Sequence, residues 1–112
     1  MQARLITVVE TETFLRQATK IWSDEERSAL VDHMAREPEG GDVIPGTGGV
    51  RKLRWGRSGS GKRGGARVIY LYHDMDRPLY LLLAYAKSQA EDMSADEKKV
   101  VTALAAVIKA RK

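Results

Sequence analysis

Residues 67–87 read RVIYLYHDMDRPLYLLLAYAK, and the way this stretch divides decides the fold. Arg67-Val68-Ile69-Tyr70-Leu71-Tyr72-His73 and residues 79–87 are dominated by aliphatic, β-branched and aromatic side chains over strand length. Between them Asp74-Met75-Asp76-Arg77-Pro78 is a polar turn short enough to close a hairpin. Upstream, Val50-Arg51-Lys52-Leu53-Arg54-Trp55 has strand character with little apolar content, and residues 56–65 form a Gly/Ser/basic loop. Three strands in succession make an antiparallel meander, one face of which an α-hairpin can cover while the other stays open.

The covering hairpin is legible further upstream. After a short strand over residues 4–9, Thr11 is a candidate N-cap for a helix carrying Phe14, Leu15, Ala18, Ile21 and Trp22. Ser23-Asp24-Glu25-Glu26 is a capping box that opens a second helix bearing Leu30, Val31 and Met34, which stops before Pro38. Residues 39–49 read as a loop. Downstream, Ser94-Ala95-Asp96-Glu97 is another capping box, followed by Val100, Val101, Leu104, Val107 and Ile108 at helical spacing. The expected fold is α+β, in the order β-α-α-β-β-β-α, as one domain over residues 1–112.

Composition narrows the chemistry. The chain has 112 residues, a formal net charge of +4 and no cysteine, which excludes a disulfide framework and thiolate metal sites. With two His residues, no metal site and no cofactor are expected. MQARLITVVE lacks the apolar core of a signal peptide and no long apolar run follows, so a cytoplasmic protein without a membrane partner is expected. The charge is polarised. Between Asp42 and Asp74 there is no acidic residue, while Arg51, Lys52, Arg54, Arg57, Lys62, Arg63 and Arg67 give +7; the remainder, 12 basic against 15 acidic, carries −3. All ten glycines fall between Gly40 and Gly65. A basic, glycine-rich centre points to a polyanionic partner.

Gly56-Arg57-Ser58-Gly59-Ser60-Gly61-Lys62-Arg63 nearly spells a phosphate-binding P-loop, but Arg63 replaces the magnesium-binding hydroxyl and a strand follows where a helix N-terminus is required. Nucleotide hydrolysis is set aside. The alternation of the basic strand is more informative: Lys52 and Arg54 share one face, and Arg51, Leu53 and Trp55 the other. Leu53 and Trp55 belong in the core, so Lys52 and Arg54 project onto the open face. Arg67 opens the next strand and Lys87 closes the last. Four cations from three strands then converge, and their mutual repulsion is best offset by a bound anion. Lone exposed cations also serve merely to protect a sheet from edge pairing.

His73 beside Asp74 reads more readily as a turn residue than as a proton carrier, and Tyr85, which shares the parity of Lys87, is the tyrosine placed to meet a nucleic acid. No Ser-His-Asp, Cys-His or carboxylate pair emerges from spacing. Catalysis by cations alone suits RNA cleavage, because the substrate supplies the 2′-hydroxyl nucleophile.

Several segments together resemble the RelE/ParE toxin superfamily, especially its HigB branch: Val50-Arg51-Lys52-Leu53-Arg54-Trp55, Gly61-Lys62-Arg63-Gly64-Gly65-Ala66-Arg67-Val68-Ile69-Tyr70, and Leu83-Ala84-Tyr85-Ala86-Lys87 followed by Asp92-Met93-Ser94. The resemblance covers almost the whole chain. It implies a ribosome-dependent mRNA endoribonuclease acting in the A site, a helix-turn-helix, HigA-like antitoxin as partner, and contact with operator DNA only through that antitoxin. On this pattern Lys52, Arg54, Arg67 and Lys87 are catalytic: Arg67 and Lys87 stabilise charge on the scissile phosphate, and Lys52 or Arg54 orients the RNA and assists proton transfer. Arg51, Arg57, Lys62, Arg63, His73, Tyr85 and Asp92 are the expected substrate contacts, with Asp92 placed to hold Lys87. The C-terminal helix lacks the Tyr that some relatives use. The alternatives on the same reading are a ParE-like inhibitor of DNA gyrase and a basic sheet that binds ribosomal RNA without cutting it.

Overall fold

A computed structural model describes residues 5–57, 61–86 and 92–111, with backbone only at 57 and 61–64. Its elements are β1 (Val8–Glu10), α1 (Glu12–Ala18), α2 (Asp24–Arg36), β2 (Asp42–Val43), β3 (Val50–Arg57), β4 (Gly61–Leu71), β5 (Leu79–Ala86) and α3 (Ala95–Ala110). The hairpin of residues 67–86 lies at the centre of a five-stranded sheet of order β1-β5-β4-β3-β2. β3, β4 and β5 pair antiparallel, and β1 adds to β5 in parallel with Val8 opposite Leu79. Val68, Ile69, Tyr70 and Leu71 are consecutive and all buried, which requires cover on both faces of the sheet.

The α-hairpin covers one face. Thr11 caps α1, accepting from Phe14 N–H and donating its own hydroxyl to Leu81 C=O at 2.7 Å, so the cap also ties the helix start to β5. The capping box at Ser23 is formed. Phe14, Ala18, Trp22, Leu30 and Met34 pack on Ala66, Val68, Tyr70, Leu81 and Ala84.

The other face departs from expectation: it is not left open. α3, capped at Ser94 by its own box, lays Val101 and Ala105 on Val50, Ile69, Leu71 and Leu82. A bulge in β5 helps, since Ile69 pairs with Leu83 but Tyr70 with Leu81, and the extra residue lets Leu82 and Leu83 join the same cluster. Val100, Leu104 and Val107 remain exposed on the outer side of α3.

Two segments expected as loops are partly strand. Within residues 39–49, Asp42 and Val43 pair with Lys52 and Arg51, because Gly46, Gly48 and Gly49 take positive φ and close a tight return. Thr47, fully buried, braces it by donating to Ile44 C=O and accepting from Val50 N–H. In the glycine-rich stretch, β3 runs on through Arg57 and β4 starts at Gly61, with a register shift between Trp55 and Arg57.

Buried Tyr70 donates its hydroxyl to Pro38 C=O and accepts from Gly41 N–H, both at 2.8 Å, which pins the segment leading to β2. Tyr70→Phe leaves both groups unpaired and is expected to lower unfolding free energy by about 1–3 kcal/mol in denaturant titration. Gly41 is needed there, because a Cβ would lie 2.8 Å from Lys52 C=O and from the Tyr70 ring.

Candidate functional site

Strand register sets Arg54 opposite Arg67, and Arg67 opposite Tyr85, in one row across β3, β4 and β5. The adjacent row is Lys52, Ile69 and Leu83. Directly paired residues project to the same face, and alternate residues along a strand share it. Lys52, Arg54, Arg67 and Tyr85 therefore stand on the face that α3 partly covers. α3 meets the rows of Ile69 and Leu71, and Arg54 beyond them is exposed.

Arg67 is the unusual member. It is half-buried, and its Nη1 is shielded from solvent without a hydrogen-bond partner among the described residues. Among the described residues no carboxylate pairs with Arg67 or with Arg54. Like charges directly opposite on neighbouring strands are destabilising. An unsatisfied buried N–H adds about 1–3 kcal/mol of cost. An anion seated between the two guanidinium groups would relieve the like-charge repulsion, and an arginine offers the planar fork that suits a phosphate.

Lys52 is held differently. Its Nζ lies 3.6 Å from Asp92 Oδ1, and the same oxygen accepts Met93 N–H at 2.8 Å and the Tyr85 hydroxyl at 3.5 Å. The Met93 bond draws the Asp92 carboxyl below the usual carboxylate range, with desolvation opposing and Lys52 adding to the fall. Burial, and next the Asp92 charge, push the Tyr85 phenol up to about 12, so it stays a neutral donor through the physiological range.

The remaining expected residues are placed as follows. Arg51 faces the opposite side of β3 and is not brought to the row: it donates to Gly41 C=O at 2.9 Å and Glu39 C=O at 3.2 Å, beside a 3.8 Å contact with the Glu39 carboxylate. His73 lies beyond the end of β4, 3.7 Å from Asp74, and Leu71 at that end is already roughly 13 Å along the strand from Arg67. Asp92 is paired with Lys52 and Tyr85. Lys87, its expected partner, lies outside the described residues, as do the side chains of Arg57, Lys62 and Arg63. The P-loop-like stretch runs into strand β4, so no helix N-terminus stands behind it. Among the described residues no group of three His, Asp or Glu side chains is placed to hold a metal ion. The link from Asp92 to Lys52 carries no local sequence signal, since the two are far apart in the chain.

A family model described as "RelE toxin of RelE / RelB toxin-antitoxin system" matches residues 6–112. Among solved structures, a double arginine-to-alanine mutant of the E. coli toxin RelE in the free state superposes with a TM-score of 0.56 at 15% identity. The alignment covers 96% of this chain and 99% of that one, a likeness of fold.

Proposed function

This chain belongs to the RelE family of toxins of toxin–antitoxin systems, and on that premise we propose that it is a metal-independent endoribonuclease that cuts translated mRNA in the ribosomal A site. The observation that carries this reading is the half-buried Arg67, set directly opposite Arg54 in the β3–β4 register with no carboxylate paired to either among the described residues.

In the proposed reaction the 2′-oxygen attacks the adjacent phosphorus as its proton leaves. The P–O5′ bond breaks, and the departing oxygen takes up a proton, giving a 2′,3′-cyclic phosphate and a 5′-hydroxyl. Arg67 stabilises the extra negative charge on the phosphoryl oxygens, aided by Lys87, which follows β5 in the sequence. Lys52 and Arg54 hold the RNA in line for attack. Tyr85 lies beside the scissile group, and Arg57, Lys62 and Arg63 on the β3–β4 hairpin contact flanking phosphates.

The test is expression of the protein alone, with mapping of new 5′ ends across the transcriptome. Growth arrest is expected, with cuts in translated messages and none in a copy of the same message lacking its start codon. Intact messages accompanied by broken DNA would overturn the nuclease in favour of gyrase poisoning. Stalled ribosomes with whole messages would overturn it in favour of a non-cleaving binder.

RelE toxins pair with an antitoxin. For this chain the segments 61–70 and 83–94 support the HigB-like branch, and with it a helix-turn-helix, HigA-like antitoxin that alone contacts operator DNA. A neighbouring reading frame of that type is the expected finding. The cytoplasm is the place of action on this reading; no described helix is long and apolar enough to cross a membrane.

A further inference from the structure

A carboxylate inside a phosphate-binding site is a liability for affinity, because it repels the anion that the cations attract. Asp92 is nevertheless the carboxylate that engages the cationic row among the described residues. Its Oδ1 is fixed by Met93 N–H at 2.8 Å, immediately ahead of Ser94, the N-cap of α3, where Glu97 is already committed to the capping box. Asp92 is thus held at the start of a well-capped helix. From there the same oxygen reaches Lys52 Nζ on β3 and the Tyr85 hydroxyl on β5, the two strands that flank Arg67 on β4.

We propose that Asp92 is a positioning residue: by holding Lys52 and the Tyr85 hydroxyl on either side of β4, it fixes the cation that orients the RNA relative to the guanidinium that receives the developing charge. The inference rests on the nuclease reading of the site. It explains why an anionic side chain is present in a site that would bind polyanions better without it. Alignment is gained at some cost in affinity, and a contact that serves alignment is felt in the rate of the chemical step.

The experiment uses the full chain with ribosomes programmed with a defined mRNA. Asp92→Asn is nearly isosteric, and the side chain it replaces is 65% exposed, so folding is preserved. It is expected to lower kcat by about ten-fold or more while leaving KM unchanged or lower, the pattern of lost alignment. In a Lys52→Ala background the same change is expected to cost less than about two-fold further, because the cation whose alignment it sets is gone and only the contact to the Tyr85 hydroxyl is left to lose. A raised KM with unchanged kcat, or an equal loss in both backgrounds, would overturn the proposal.

A second readout separates this failure from failure of the nuclease reading. With ring-labelled tyrosine, Asp92→Asn should move the Tyr85 side-chain carbon resonance well beyond any change at Tyr72 or Tyr80. No movement at Tyr85 overturns the positioning role whether or not the wild-type protein cleaves. A wild type that cuts no message, with the Tyr85 shift present, overturns the nuclease reading and with it the catalytic meaning of the contact.

Discussion

Arg67→Ala is expected to lower message cleavage by about 10²–10³-fold, the usual consequence of removing one preorganised group aimed at developing charge. Arg67→Lys should fall between the two, since an ammonium restores the charge but not the planar fork that meets two phosphoryl oxygens at once. Stability should move the other way. Arg67 faces Arg54 directly across the β3–β4 ladder and leaves a shielded N–H without an acceptor. Truncating it removes a like-charge pair and an unsatisfied donor together, so the thermal midpoint is expected to stay level or rise. Single-turnover cleavage on programmed ribosomes and a melting curve check the two halves. Activity lost with stability kept is the signature of a residue held at a cost for function. A fallen midpoint with cleavage intact would make Arg67 an ordinary structural arginine.

How far this site is legible in the sequence depends on whether a feature is local or long-range. Parity alone puts Lys52 and Arg54 on one face and Leu53 and Trp55 on the other, because side chains alternate strictly along a strand. The β4–β5 hairpin, described through Ala86, and the capping boxes at Ser23 and Ser94 are equally local, and all are present. By contrast, the apolar spacing of Val100, Val101, Leu104, Val107 and Ile108 says that α3 buries a face, not which of these residues form it or which side of the sheet receives it; Val101 is buried with Ala105, while Val100, Leu104 and Val107 are exposed. The face expected to be open is therefore partly closed. The glycine-rich stretch looks like a loop because glycine is a poor strand former; pairing nevertheless extends the ladder into it, with Arg57 opposite Gly61. Asp92 and Lys52 are far apart in the chain, so no local pattern links them, and only the fold sets this carboxylate against β3. Arg51 belongs to the basic run yet serves the backbone of Glu39 and Gly41, which only the path of residues 38–41 beneath β3 reveals.

Arg54→Glu is expected to abolish toxicity, lowering cleavage by more than about 10²-fold, through capture rather than simple loss of charge. A carboxylate at position 54 would stand opposite Arg67 in the register, within about 4.5–5.5 Å at Cβ, and pair with a guanidinium that has no carboxylate partner among the described residues. The anion site would then be filled from within. Arg54→Gln is the control for charge loss alone and should cost about ten-fold, since it leaves Arg67 free to take a phosphate. The pair also differs in stability: an opposite-charge cross-strand pair in place of a like-charge one should make the glutamate variant more stable by about 0.2–1 kcal/mol, and the glutamine variant by less. Lys98→Glu on exposed α3 removes the same two units from the net charge of +4 but lies outside the row. If the protein acted through long-range steering toward a polyanion, the two reversals would weaken it alike. If it acts through the Arg54–Arg67 row, Lys98→Glu should leave cleavage within about two-fold of wild type, and raised salt should restore the Arg54→Glu variant only in part, because contact between directly opposed side chains falls well inside the screening length.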